Sequence, residues 1–142
     1  MTLNNRHWLQ EQKCVYCNSR EAVERDHIPP KCFFTVPLPS DLVVVPICTI
    51  CNQDFSRNID EEARVYLLSR RAYFSPSATS VWNDRVLKGL VKNRKMAKRI
   101  QQASTQVILK SADGQSLGLF PAIQVPTNLF ANFIKRLVRG LH

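Results

Sequence analysis

Read as apolar and polar positions, the 142-residue chain falls into stretches of different texture. From Cys14 to Asn52 it is rich in proline and β-branched residues. Here "EAVERDHI" predicts a short strand running into Pro29-Pro30, and "SDLVVVPIC" predicts a second. The unbroken run "LVVVPI" implies that the second strand is buried on both faces. Residues 1–13 are expected to form a short helix or arm anchored by Trp8 and Leu9. After Cys51, "NQDFSRNIDEEARVYLLSRRAYF" predicts a helix capped by Asp60. Acids fill its first turn and arginines its last, an order that complements the helix dipole.

"SPSATS" reads as a linker or turn. "VWNDRVLKGLVKNRKMAKRIQQ" spaces Val86, Leu87, Leu90, Val91 and Ile100 along one helical face, with Lys and Arg filling the rest. "QVILKSADGQSLGLF" predicts a hairpin turning at Asp113-Gly114. "TNLFANFIKRLVRG" predicts a last helix, capped by Thr127, lined by Phe130, Phe133, Ile134, Leu137 and Val138, and stopped by Gly140.

The expected fold class is therefore α+β: a core over residues 1–75 with an N-terminal arm, and a basic helical and hairpin extension over 76–142 packed on it. The length suits one compact domain, or a small module with an added arm. There is no apolar run of about 18 residues, so no transmembrane helix is expected. "MTLNNRHWLQEQK" lacks an apolar signal core, so an intracellular, cytoplasmic protein is expected.

Charge adds an asymmetry. Residues 1–84 hold nine Lys/Arg against ten Asp/Glu, a net −1, whereas residues 85–142 hold eleven against one, a net +10. The whole surplus of +9 belongs to the second stretch. A one-sided positive field suits a polyanion, because each Lys or Arg placed on a phosphate releases condensed counterions. Residues 85–99 alone carry seven Lys/Arg and no acid. As one helix they would set Lys88, Lys92, Lys95 and Arg99 in a stripe able to follow a phosphate backbone. Lys135, Arg136 and Arg139 offer a second such surface. A soluble basic face without any ligand explains the same charges.

The five cysteines change the picture more. Cys14 and Cys17 form one C-x-x-C pair, Cys48 and Cys51 another, thirty residues apart. Two such knuckles aim four thiolates at one tetrahedral ion, a closed and hence structural Zn²⁺ site. A redox pair needs a βαβ context, which is absent, and an intracellular setting argues against disulfides. Cys32 is left over and is expected to be a small buried hydrophobe rather than a fifth ligand.

The order is now C-x-x-C, strand, Asp26-His27, strand, C-x-x-C-Asn52, helix. Zinc would fasten the two ends of this ββα unit together and bring Asp26 and His27 beside Asn52. An acid and an amide oxygen there would hold one hard cation such as Mg²⁺, which keeps waters for substrate oxygens. His27 would stand beside the ion, free to take a proton from water. Taken alone, His27 also fits a structural role on a backbone carbonyl, and Asn52 fits an N-cap. Asp54, Asn58 and Asp60 are nearby acids and amides of lower rank for metal contact.

On "CVYC", "DHIPP" and "CTICN", residues 14–72 resemble the HNH endonuclease family, the zinc-bearing branch of the ββα-metal (His-Me finger) nucleases. The resemblance implies Cys14, Cys17, Cys48 and Cys51 as zinc ligands, Asp26 and Asn52 as ligands of a catalytic Mg²⁺ or Mn²⁺, and His27 as general base. The family's middle position is usually Asn at the start of the second strand. The match here is Asp41, a departure that would bring a further negative charge near the ion. The activity implied is metal-dependent hydrolysis of phosphodiester bonds in DNA. A non-catalytic zinc module binding DNA through its basic half is the alternative, and the Asp41 departure favours it. RNA as substrate and a homodimeric state are left open.

Overall fold

The computed structural model describes residue 9, residues 11–72 and residues 74–142. The expected anchor Trp8 lies outside the described residues, and Leu9 is buried. Strand β1 (Glu24–Ile28) pairs antiparallel with β2 (Val43–Ile47), Asp26 opposite Val45 and Ile28 opposite Val43. Side-chain alternation puts Glu24, Asp26 and Ile28 on one face of β1. Burial of β2 on both faces does not hold: Val45 and Ile47 are buried, while Val43 and Val44 are exposed. Val44 and Pro46 point to the more open face, and Val43, on the face of Val45 and Ile47, is exposed at the start of the strand. Pro46 fits such a strand because its missing N–H has no ladder partner to satisfy. Its carbonyl instead accepts from Val15 N–H at 3.2 Å, and that of Ile47 from Val23 N–H at 3.1 Å. These bonds tie the first cysteine knuckle to β2.

Helix α1 (Thr49–Phe55) starts at Cys48, whose sulfur accepts from Cys51 N–H at 3.5 Å. It runs through a π-helical turn (Ser56–Asp60) into α2 (Glu61–Arg71) without a break, so Asp60 is not a cap. Its backbone is helical and its side chain turns inward instead. Four residues overshoot one turn of an α-helix and fall short of one turn of a π-helix. The succession of the two keeps Asn52, Ser56 and Asp60 along one line.

"SPSATS" is helical rather than a linker. Ser75 caps α3 (Pro76–Val81) by accepting from Ala78 N–H, with Pro76 in the first turn where no donor is needed. A second π turn (Trp82–Val86) leads into α4 (Leu87–Lys92). The single helix expected over 85–99 breaks at Asn93, whose side chain accepts from Met96 N–H and starts α5 (Arg94–Ala103). The break rephases the buried face: Leu87 and Val91 are exposed, and Met96 joins Val86 and Ile100 inside.

The hairpin β3 (Ser104–Lys110)–β4 (Ser116–Ile123) turns where expected, with Gly114 at φ +88°. Helix α6 (Thr127–Leu141) begins without a side-chain cap from Thr127, and Gly140 lies inside its last turn rather than ending it. Its buried positions are Leu129, Phe133, Arg136 and Gly140, while Ile134 and Val138 are about half exposed.

Two apolar clusters result. The first joins Cys14, Tyr16, Ile28, Val45, Ile47 and Cys48, with Phe55 and Leu137 against it. The second joins Val65, Tyr66, Val86, Met96, Ile100 and Leu129. Both draw on residues from either side of position 75. Ile47 is fully buried, so its truncation to Ala costs about 2–5 kcal/mol. No helix among the described residues is long and apolar enough to cross a membrane.

Candidate metal centre and the cleft beside it

The four cysteines of the two C-x-x-C pairs come together with all Sγ atoms within 4.8 Å of one another. A tetrahedral zinc with bonds of about 2.3 Å requires sulfurs about 3.8 Å apart. Cys17 Sγ and Cys48 Sγ stand at 4.0 Å, so the donor set fits a structural metal such as zinc. Local backbone builds the first knuckle. Asn18 N–H donates to Cys14 O at 2.8 Å, and Cys14 N–H to Arg20 O at 2.9 Å, with Asn18 at φ +50°. A hydrogen bond from Ser19 pulls the Cys17 thiol down to about 5, which favours the metal-binding thiolate. Burial pushes Cys51 up, a cost that a bound cation offsets. The exposed Arg20 lies beside Cys48 and Cys17, and hydrogen bonding to their sulfurs raises its own pKa. Cys32 is outside this cluster, and burial raises its thiol to about 11.

Next to this centre is an open cleft of about 370 Å³. It brings together Asp26 and His27 from the end of β1, Asn52 and Ser56 from α1 and the π turn, and Asp60. Arg25, Lys31, Arg64 and Arg136 supply positive charge on the same lining. Asp41 is exposed and is not on this lining. Asp54 and Asn58 are exposed and hydrogen-bond each other.

Asp26 is 6% exposed and fully engaged. Its Oδ2 accepts from the Tyr16 hydroxyl at 2.5 Å, and its Oδ1 from His27 N–H at 2.9 Å. Arg136 Nη2 donates to both oxygens, at 2.8 and 2.9 Å. A carboxylate offers about four acceptor sites, and all four are used. Asp26 therefore does not fit as ligand to a divalent ion in this arrangement. Asn52 is not an N-cap either, since Cys48 holds that position. Its amide donates to Glu24, a residue missed in the sequence although strand alternation sets it on the Asp26 face.

Asp60 forms an ion pair with Arg136, Asp60 Oδ1 to Nη1 at 2.8 Å. Burial pushes its carboxyl up to about 7, against the Arg136 charge that favours ionisation. Burial also raises Tyr16, with the Asp26 hydrogen bond acting in the same direction. Burial lowers the His27 pKa, with Lys31 adding to the effect. Both effects favour the neutral imidazole, the form able to accept a proton.

The largest departure is Arg136. Offered by its charge as a surface contact, it is 3% exposed and sits at the centre of the site. Its position on α6, in phase with Leu129, Phe133 and Gly140, is the signal that places it inward. Searches of protein-family models, curated proteins and solved structures found no match to this chain.

Proposed function

We propose that the chain is a phosphodiester hydrolase of the HNH type acting on DNA, built on a zinc-stapled ββα unit with His27 as general base. One observation carries this reading: a single cleft holds the His27 imidazole together with Lys31, Arg64 and other cationic side chains. A neutral His27 takes a proton from an attacking water. The cations beside it offset charge that develops on phosphate oxygens in the transition state. Zn²⁺ on Cys14, Cys17, Cys48 and Cys51 has no open position, so its part is to hold β1 against α1. Asp26 and Asn52 serve by anchoring Arg136 and Glu24. Asp26 does not fit a catalytic Mg²⁺ or Mn²⁺ as arranged, so the countercharge for the phosphate comes from side chains. The +10 charge of residues 85–142 supplies non-specific attraction to the DNA backbone.

A second reading, a zinc-stabilised DNA-binding module without catalysis, is favoured by the saturation of Asp26 and the exposed place of Asp41. Nicking of supercoiled plasmid, with and without added Mg²⁺ or Mn²⁺, separates the two. Hydrolysis by the zinc-loaded protein that falls by about 10²-fold or more in His27→Ala is expected. Plasmid binding without nicking under every condition establishes the second reading.

A further inference from the structure

Two acids reach the centre of the molecule from different elements, Asp26 from β1 and Asp60 from the π turn, and each is 6% exposed. Buried carboxylates so close together need a shared positive partner. The partner is delivered by α6, 110 residues beyond Asp26 in the chain. The Arg136 side chain is 2% exposed, with Nη2 on both Asp26 oxygens and Nη1 at 2.8 Å from Asp60. Its guanidinium carbon lies 4.9 Å from the centre of the Phe55 ring, which Tyr16 in turn meets edge-on at 4.7 Å.

We propose that Arg136 is a built-in cation, standing where a hydrolytic site of this kind would seat a divalent ion, so that Asp26 and Asp60 are organised without Mg²⁺ or Mn²⁺. The helix carrying it is part of the core and not a lid. Leu137 packs on the first apolar cluster, and Arg139 donates to Tyr16 O at 3.3 Å. A methyl group at Gly140 would overlap Ile28 and lie 2.8 Å from the Tyr16 hydroxyl. Arginine suits the position because its planar fork reaches two carboxylates at once and keeps its charge when buried. Arg136 is a positioning residue here: it holds the acids, and through Asp26 the start of the His27 loop.

Mn²⁺ binding to the zinc-loaded full chain, read by paramagnetic resonance and by thermal melting, tests this directly. Wild type is expected to take up no Mn²⁺ at the acid pair. Arg136→Met leaves the two carboxylates without a cation, and is expected to gain Mn²⁺ binding and a Tm that rises by several degrees on its addition. Adding Asp26→Asn to that variant should remove both gains. Should Arg136→Met fail to fold even with Mn²⁺, Arg136→Gln, which removes the charge but keeps a polar side chain for the two acids, replaces it with the same expected Mn²⁺ response. Wild-type Mn²⁺ uptake that Asp26→Asn abolishes would overturn the proposal, as would a folded Arg136 variant indifferent to Mn²⁺. None of these readouts involves nucleic acid, so they stand apart from the hydrolase reading.

Discussion

Among the described residues two antiparallel strand pairs occur, and they are used in opposite ways. In β1–β2, Asp26, Ile28, Val45 and Ile47 are buried, and the ends of the pair are bound to the cysteine cluster. In β3–β4, every residue from Ser104 to Pro121 except Ser111 is exposed, Ile108, Leu117 and Leu119 among them. A two-stranded sheet is marginal by itself in water. The first pair is stabilised by a metal-binding centre and a covering helix, the second by little beyond its own ladder. The buried acids and His27 lie beside the first, held by elements from both ends of the chain.

The sharpest way to break this contrast is Cys48→Ser. Metal binding by a four-thiolate site is folding free energy, on the order of 10 kcal/mol for small zinc modules. The variant is expected to lose zinc and the amide-exchange protection of β1–β2. A folded, zinc-free variant with intact protection would remove the centre from its stabilising role.

Gly140→Ala comes next. Alanine is the better helix former, yet its methyl has no space against Ile28. Overpacking of this kind costs about 1–3 kcal/mol, and chemical denaturation should show that loss. A stabilised variant would mean that α6 does not press on β1.

The basic surface is expected to act only on polyanion binding. Changing Lys92, Lys95 and Arg99 to Gln should leave zinc content unchanged. The slope of log K against log salt should fall by roughly one for each phosphate that the variant no longer neutralises. Arg99 pairs with Glu62 at 2.9 Å while half exposed, so it is expected to contribute least of the three. An unchanged slope would make these side chains a solvated face.

A proton-linked effect is expected at His27. Its folded pKa is lowered by burial, so the fold favours the neutral ring. That contribution is complete above the unfolded value near 6.5 and is lost as pH falls through the folded pKa. An NMR titration placing His27 above 6.5 would contradict it. The smallest effect belongs to the open hairpin: Leu119→Thr, at a 64% exposed site, should change stability by no more than about 0.5 kcal/mol. A larger loss would show that the hairpin face is covered after all.

Much of this is legible in the sequence because it is local. The two C-x-x-C knuckles, the strand ending in Asp26-His27, the Gly114 turn and the helical character of the basic stretch each depend on residues within a few positions. Short motifs carry their own backbone geometry, and turn chemistry does not wait for tertiary packing. Features that depend on what lies opposite are decided elsewhere. Whether "LVVVPI" has one covered face or two depends on which elements pack above and below the sheet. Asp60 has the sequence context of a cap, but a π turn carries it inward to meet a charge. Arg136 has the charge of one more surface cation; its phase with Leu129, Phe133 and Gly140 marks it as inward on α6, but not what it meets there. Only packing places it between Asp26 and Asp60, since a buried carboxylate takes the nearest cation that the fold can deliver, however distant in the chain.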